Sequence, residues 1–374
     1  MQTIAKLIFI LAFIPAFLFG SGKKELIALI VNPISGGKKK EALVKKAVKE
    51  LSRTYDVEVL YTEGPGHATT LAREALKRRA KIVVAVGGDG SVNEVSQALI
   101  GSEAALAILP AGSGNGLARH LGIPLDWSAA SAVIAKGKAI PIDTVKINDL
   151  YYVGVAGVGF DADISWAFSH SVRRGFLSYL LLTLQEFPRY HPHTYELEID
   201  GKKITREAFL IAFANSSQFG NGVQIAPNAD AGDGFLDVVV LRPFSQMEGM
   251  RIAYRLFHGT LDEDEHTERI RCKKASIRNK RLRAHIDGEP MCFEDGIHLE
   301  IVPSSLNVII PKQPEESVSA GVGLPPLLSP PASLNFLSLA ASAPRTLTQN
   351  RGASLASYRF FRLFRYIPIA PPSA

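Results

Sequence analysis

Three short glycine-bearing segments of the sequence have the residue types that proteins use to bind phosphate groups. They are residues 32–37 (NPISGG), 87–94 (GGDGSVNE) and 110–116 (PAGSGNG). Glycines let backbone N–H groups approach an anion closely, and the start of a helix adds about half a positive charge to hold it. A single segment of this kind is usually no more than a tight turn. Three of them in one chain predict a site for a polyphosphate, and a nucleotide is the natural ligand.

The acidic residue Asp89 is unexpected inside such a segment. Its carboxylate would repel phosphates unless it coordinates Mg²⁺ or positions a hydroxyl group, and the alternative is a turn former or a helix cap. The spacings G-x-x-x-x-G-K-[ST] and G-x-G-x-x-G are both missing from the sequence. The nucleotide must therefore be held without the lysine that a P-loop supplies.

The elements that must position these segments alternate between strand and helix. Such alternation predicts a parallel sheet that is covered by helices on both faces. In an open sheet of this kind ligands bind at the carboxyl ends of the strands, and each glycine-bearing segment follows a predicted strand. The predicted strands are 25–31, 56–61, 81–86 and 104–109, and the predicted helices are 39–52, 67–79 and 91–100.

After about residue 140 the pattern changes to short β-rich segments separated by turn signals such as Asp200–Gly201. This pattern predicts a second, mostly antiparallel domain. An apolar stripe within 172–187 predicts one helical insertion, which could line an acyl-chain groove or be plain core. The predicted strands here are 151–158, 194–200, 204–214, 235–241, 276–286 and 297–302. The predicted division is an apolar segment at 1–22, an α/β domain at 23–142, a β-rich domain at 143–312 and a tail at 313–374.

Six segments carry a resemblance to a known family: 32–36 (NPISG), 87–95 (GGDGSVNEV), 110–124 (PAGSGNGLARHLGIP), 157–164 (GVGFDADI), 226–235 (APNADAGDGF) and 285–290 (HIDGEP). In their order and spacing they resemble the diacylglycerol kinase catalytic domain family, which also contains the sphingosine and ceramide kinases. The resemblance covers about residues 24–312. It implies a kinase that uses ATP and Mg²⁺ to phosphorylate a lipid hydroxyl, with its active site in the cleft between a nucleotide domain and a lipid domain.

The resemblance also implies roles for individual residues. Asp287 and Glu289 would be the carboxylates that deprotonate the lipid hydroxyl and help to hold the metal, with Asp89 as a third catalytic residue. Family practice favours Glu289 as the base, but the residues themselves leave that choice open, since 286–289 is also a good hairpin turn. The nucleotide and its phosphates would be bound by Asn32, Pro33, Ser35, Gly36, Thr62, Gly87, Gly88, Asp89, Gly90, Ser91, Asn93, Glu94, Gly112, Ser113 and Asn115.

Asp230 and Asp233, with the carbonyl group of Phe235, match a structural Mg²⁺ site of bacterial members of the family. Oxygen ligands carried on a loop suit such a hard cation. On the residues alone, this spacing is more often only a turn.

The acceptor lipid is left open by the sequence. Many bacterial diacylglycerol kinases have Asp after the Asn of the third segment, where this chain has Gly116, as in the sphingosine and ceramide kinases. Asp161 and Asp163 align near the residues with which sphingosine kinases hold the polar head of the base, although ordinary strand-end caps are an equal alternative. Both diacylglycerol and a sphingoid base remain candidate substrates.

The two ends of the chain differ from its middle. Residues 7–20 are an apolar run, which could be a signal peptide, a membrane tether or an over-extended start of translation. As a helix it would span about 21 Å, against about 30 Å for the hydrocarbon core of a bilayer. Residues 317–374 contain eight prolines, five arginines and no acidic residue, so they are predicted not to order by themselves. Their segment 358–366 could lie on an anionic membrane or be a frayed end without a role.

Composition sets further limits. A chain of 374 residues with 47% hydrophobic residues cannot be collagen-like, fibrous or wholly disordered. Its formal net charge of +6 comes from Lys6 and the five arginines after residue 316, so residues 7–316 are formally neutral. Two cysteines are too few for a disulfide framework or a zinc cluster.

Because ATP is missing outside the cell, these features predict a cytoplasmic enzyme that works at the inner membrane face as a peripheral protein. Its expected partner is a membrane lipid and not a nucleic acid, and a homodimer is left open. Two alternatives remain: a kinase of the NAD kinase or phosphofructokinase type with a soluble acceptor, because these share similar GGDG turns, and a non-catalytic lipid or nucleotide sensor.

Overall fold

The computed structural model describes residues 24–34, 40–171 and 176–312, without the side chains of Phe176 and Leu177. The predictions for 1–22 and 313–374 therefore lie outside the described residues, as do those for Ser35 and Gly36.

Four parallel strands form one half of the larger sheet, in the order β2-β1-β3-β4. All residues of β3 and β4 are buried, as expected for central strands covered on both faces. The strands are Leu26–Val31 (β1), Asp56–Tyr61 (β2), Ile82–Gly87 (β3) and Ala105–Pro110 (β4), and the helices of this part are Lys40–Leu51 (α1), His67–Lys77 (α2), Asp89–Leu99 (α3), Gly116–His120 (α4) and Trp127–Lys136 (α5). The predicted parallel α/β architecture is confirmed.

The same sheet continues into the second half of the chain. Lys138–Ile147 (β5) pairs with the long last strand, Ile297–Ile310 (β18), and residues 307–308 of β18 pair in parallel with β4. The predicted domain boundary at residue 142 thus falls inside β5. The far part of the sheet runs β18-β15-β8-β9. The remaining strands of this sheet are Leu150–Tyr152 (β6), His193–Ile199 (β8), Lys202–Ala208 (β9) and Lys274–Ile277 (β15).

A second, antiparallel sheet has the order β14-β13-β10-β7-β16-β17. One face packs on the far part of the first sheet through an apolar core, and the other is covered by helices. This arrangement confirms the predicted β-rich half. Its strands are Val155–Gly159 (β7), Leu210–Ala214 (β10), Leu236–Leu241 (β13), Thr267–Cys272 (β14), Leu282–Ile286 (β16) and Glu289–Phe293 (β17), with a separate hairpin of Gln218–Gly220 (β11) and Val223–Gln224 (β12).

Several predictions about elements need correction. The segments 151–158, 204–214 and 276–286 were each expected to be one strand, and each contributes a strand to both sheets. In 204–214 the apolar run continues while the chain crosses between the sheets, and in 276–286 the crossing residues 278–281 are polar. The helical insertion is two helices, Phe160–Ser169 (α6) and Phe176–Glu186 (α7), of which the first was missed. A further helix, Gln246–His258 (α8), carries a capping box at Ser245 and Glu248. Among the described helices none is long and apolar enough to span a bilayer.

Candidate active site

The second and third glycine-bearing segments touch each other through their backbones at the carboxyl ends of β3 and β4. The N–H of Ala111 donates to the carbonyl of Gly87 at 2.7 Å. A Cβ added to Gly112 would lie 2.4 Å from the Cα of Gly88, which is closer than real Cβ contacts come. Glycine is therefore required at residue 112, and the two loops form one continuous backbone surface.

Asp89 ties these two loops together. It is the first residue of α3, after Gly88 at the N-cap position, and its carboxylate oxygens accept hydrogen bonds from the backbone N–H of Gly116 at 2.6 Å and of Asn115 at 2.8 Å. Burial raises the pKa of Asp89 to about 6, and the charge of Asp287 adds to the rise. A bound cation would relieve this cost, because it would compensate the charge of both carboxylates.

Asn115 shapes the third loop from within. Its backbone is left-handed (φ 51°), and its side chain accepts from the N–H of Gly112 at 3.0 Å and donates to the carbonyl of the same residue at 2.8 Å. Ser113 is left exposed at the tip, where it borders a cavity. Gly112, Ser113 and Asn115 thus lie together in the third loop, and the side chain of Asn115 is occupied by hydrogen bonds within that loop.

The first loop is joined to the second by Asn32 and by a residue that the sequence did not single out. The side-chain amide of Asn32 donates to Ser91 Oγ at 3.3 Å. Lys40 is buried, and its Nζ donates to the carbonyls of Asn32 at 2.5 Å and of Val86 at 3.0 Å. Burial lowers the pKa of Lys40 to about 8. The sequence contained a signal for the burial of Lys40, since this residue shares one helical face with Val44 and other buried residues of α1.

Thr62 and Glu94 have different surroundings from each other. Thr62 is buried directly after β2, and its N–H donates to Val31 at the same sheet edge as the loops. The carboxylate of Glu94 accepts from the N–H of Ala68 at 3.0 Å, at the start of α2, where the N-cap residue Gly66 has no side chain. Glu94 is thus engaged as a helix cap.

One carboxylate of the HIDGEP segment, Asp287, lies within the two-residue turn between β16 and β17, and the other, Glu289, is the first residue after it. Both turn residues, Asp287 (φ 47°) and Gly288 (φ 84°), are left-handed, as a type I′ hairpin turn requires. Asp287 accepts hydrogen bonds from the N–H groups of Gly154 at 3.0 Å, Val155 at 2.9 Å and Val153 at 3.3 Å. It also accepts from the amide of Asn93 at 2.7 Å. Burial raises the pKa of Asp287 despite these donors.

Glu289 is placed differently. It is exposed, and within the described part of the chain its carboxylate makes no hydrogen bond or ion pair. Its Oε1 lies 3.3 Å from the position that a Cβ on Gly90 would take, so it faces the start of α3. Of the two carboxylates on this turn, only that of Glu289 has no hydrogen-bond donor among the described residues.

A cavity of about 320 Å³ lies between the third loop, α6 and the second sheet. Its polar lining includes Asp89, Ser113 and Asp287, whereas Glu289 is not among its lining residues. The described side chains of α7 are half-buried or exposed, so this helix is not plain core. It contributes Tyr179 and Thr183 to the lining of the cavity. The apolar lining comprises, among others, Phe160, Ile164, Phe168, Leu210 and Phe219.

The structure separates Asp161 from Asp163. Asp161 is buried in the first turn of α6 and borders the cavity, where its Oδ2 lies 3.0 Å from His285 Nε2. Asp163 is partly exposed outside the cavity and pairs with Arg283 at 3.3 Å. The lining of the cavity thus includes Asp161 but not Asp163, and the partner His285 was missed because it lies 124 residues away in sequence.

The candidate metal residues offer oxygen donors that are partly in use. Asp230 accepts from the N–H of Gly232 at 2.9 Å, and Asp233 accepts from the N–H of Phe235 at 3.0 Å and pairs with Arg271. Closer to Asp287, Ser216 Oγ is buried and has no hydrogen-bond partner among the described residues.

Comparison with known proteins shows to which family this chain belongs. The model of the diacylglycerol kinase catalytic domain matches residues 27–147, and that of the YegS C-terminal NAD kinase beta sandwich-like domain matches residues 154–310. A protein of Klebsiella pneumoniae (strain 342) named "Probable lipid kinase YegS-like" is 30% identical over 288 residues, covering 74% of this chain and 94% of that protein. The chain belongs to the diacylglycerol kinase catalytic domain family. The resemblance seen in its six segments is thereby confirmed, as is the expectation of a lipid-kinase enzyme.

Other relatives agree with the family and the fold. A protein of Bacillus subtilis (strain 168) named "Diacylglycerol kinase" is 28% identical over 297 residues, which cover 78% of this chain and 98% of that protein. The crystal structure of a diacylglycerol kinase from Bacillus anthracis str. Sterne superimposes with a TM-score of 0.61 at 22% identity, covering 77% of this chain and 97% of its own. A second crystal structure from that organism reaches a TM-score of 0.66 at 26% identity, covering 77% and 98%. These likenesses extend over both halves of the fold.

Proposed function

We propose that this chain transfers the γ-phosphate of ATP to the hydroxyl group of a diacylglycerol or sphingoid-type lipid, and that Glu289 is the base. The observation that carries the proposal is a cavity of about 320 Å³ whose lining combines Asp89 and Ser113 with apolar side chains such as Phe160 and Phe168. A lipid bound there with its tail in the apolar part would present its hydroxyl to the glycine-bearing loops.

The loops suit the nucleotide. The backbone surface of Gly88 and Gly112 and the start of α3 would hold the phosphates, with Asn32 and Thr62 at the same edge of the sheet. Bound ATP supplies the phosphoryl group, and Mg²⁺ supplies counter-charge. Asp89 and Asp287 would hold that cation, because two buried carboxylates with raised pKa values gain from it. Asp230, Asp233 and the carbonyl of Phe235 are a second candidate Mg²⁺ site, supported by their oxygen donors, with a role in holding the β-rich half together.

Glu289 would accept the proton of the lipid hydroxyl as that oxygen attacks. This role is supported by its carboxylate, which has no partner among the described residues and faces Gly90 at the start of α3, beside the loops proposed for the phosphates. Asp287 would not take this proton, because both of its oxygens already accept hydrogen bonds from N–H groups. Asp287 would instead fix the turn that carries Glu289.

The test is phosphorylation by the purified chain with radiolabelled ATP and Mg²⁺, using dioleoylglycerol, sphingosine and ceramide in mixed micelles and NAD and fructose 6-phosphate in solution. We expect label in a lipid, and a loss of at least about 100-fold for Glu289→Gln. Glu294→Gln is the matched control, because Glu294 is exposed on the same hairpin beyond the end of β17. Label only in NAD or the sugar phosphate would favour the soluble-acceptor alternative. Binding of ATP without turnover of any acceptor would favour the sensor.

The proposed place of action is the cytoplasmic face of the membrane, where ATP and the lipid meet. Flotation of the chain with vesicles of phosphatidylcholine and phosphatidylglycerol would support peripheral binding, and its absence from the floating fraction at every vesicle composition would contradict it.

A further inference from the structure

The N–H and the carbonyl of Gly288, in the turn that carries Asp287 and Glu289, are both held by residues outside the turn. Ser165 Oγ donates to the carbonyl of Gly288 at 2.7 Å. The N–H of Gly288 points to His285 Nδ1 at 3.4 Å. The N–H of Asp287 also donates to the carbonyl of Val155 at 3.0 Å, so the turn has three attachments besides the hydrogen bonds of the Asp287 side chain.

His285 is itself held in position by a hydrogen bond to Asp161. Because Nδ1 faces an N–H donor, the ring proton belongs on Nε2, which donates to Asp161 Oδ2 at 3.0 Å. Both side chains are buried. The pair of Asp161 and His285 thus links the first turn of α6 to the strand that leads into the turn.

The space for this pair is created by Gly157. It lies opposite His285 on the neighbouring strand β7. A Cβ on Gly157 would be 2.2 Å from Asp161 Oδ2 and 2.8 Å from His285 Nε2. Any larger residue at 157 would separate the two side chains.

We propose that Asp161, Ser165 and His285 are positioning residues that hold the 287–288 turn so that Glu289 faces the start of α3. The inference rests on the proposed function, since it assigns these residues to the base of that reaction. In this proposal Asp161 holds His285 in position and does not contact the polar head of the lipid. Glu289 has no partner of its own among the described residues, so its position depends on the backbone that carries it.

The test is a cycle of variants measured as kcat with radiolabelled ATP. Ser165→Ala removes one hydrogen bond from the turn, and we expect kcat to fall about three- to tenfold with an unchanged KM for ATP. In a Glu289→Gln background the same change should have no further effect, because the residue acts only through Glu289. Ser169→Ala on the same helix is the matched control, since the Ser169 hydroxyl donates to Trp166 of its own helix.

Gly157→Ala is the second variant, because it disrupts the pair without touching the turn. It should reproduce the kcat loss and the same non-additivity, with the folded fraction measured by ATP-binding stoichiometry. Equal losses in both Glu289 backgrounds, or no loss in either variant, would overturn the positioning role. Absence of lipid phosphorylation by the unmodified chain, or an unaffected Glu289→Gln variant, would instead refute the proposed function.

Discussion

Asp89 is expected to weaken the ligand-free fold at neutral pH, and Asp89→Asn should therefore stabilise it. The pKa of Asp89 is raised from 3.8 to about 6 in the folded chain. A raised pKa means that the folded state binds the proton more tightly than the unfolded state does. The resulting stability is fully present below pH 3.8 and is lost as the pH rises through about 6.

The size of the effect follows from the two pKa values. Between about pH 4.5 and about pH 7.5 the unmodified chain should lose about 2 kcal/mol of folding free energy through this group. This is an upper value, because part of Asp89 is exposed and water screens its charge. Asn offers one carbonyl oxygen to the two N–H groups that Asp89 binds, as the protonated carboxyl group of Asp89 does in the acidic condition. The informative quantity is therefore how the difference in free energy of unfolding between Asp89→Asn and the unmodified chain changes with pH.

The assay is urea unfolding of both chains at the two pH values, without nucleotide and with EDTA. The advantage of Asp89→Asn over the unmodified chain should grow by about 2 kcal/mol from the acidic to the neutral condition. Ser91→Ala is the control, because it removes a polar group from the same helix start but no titrating one. If the difference in free energy of unfolding between the two chains stayed constant with pH, the conclusion that burial destabilises the charge of Asp89 would be refuted.

Three further changes test other parts of the site. Gly112→Ala should abolish ATP binding in calorimetry, because its Cβ would lie 2.4 Å from the neighbouring loop, whereas Gly64→Ala, whose Cβ meets nothing within 4 Å, should bind normally. Lys40→Met should raise the KM for ATP and lower the free energy of unfolding by about 1–3 kcal/mol, since the carbonyl of Asn32 loses this donor and that of Val86 keeps only the N–H of Asn32; Lys45→Met, which changes an exposed lysine of the same helix, should do neither. Asp287→Asn should lower the melting temperature as well as kcat, because an amide would face N–H donors, and an unchanged melting temperature would contradict the hydrogen bonds assigned to it.

The loops and the turn could be predicted because their signals are local. A glycine-bearing segment after each strand places Gly87 and Gly112 at one edge of a parallel sheet by topology alone. The pairing of Asp161 with His285, and the return of residues 307–308 to β4, join parts of the chain that are far apart in sequence. No spacing rule reports such contacts, because they depend on how the second sheet packs on the first. The contacts of Lys40 could have been predicted, since a lysine on the buried face of a helix needs acceptors for its charge.

The two carboxylates of the HIDGEP segment show why a structural and a catalytic interpretation of this motif do not exclude each other. A two-residue turn needs left-handed backbone at both positions, and Asp followed by Gly is among the best sequences for it. The turn directs Asp287 toward the N–H groups of residues 153–155 and toward Asn93 of the nucleotide-binding half, so the same side chain that suits the turn also fixes it between the two halves. Glu289 then begins the next strand with no partner among the described side chains, and it faces Gly90, which has no side chain in its way. Turn geometry and acid–base chemistry are thus divided between adjacent residues, and a rate loss at Asp287 should come with a loss of stability that a rate loss at Glu289 does not carry.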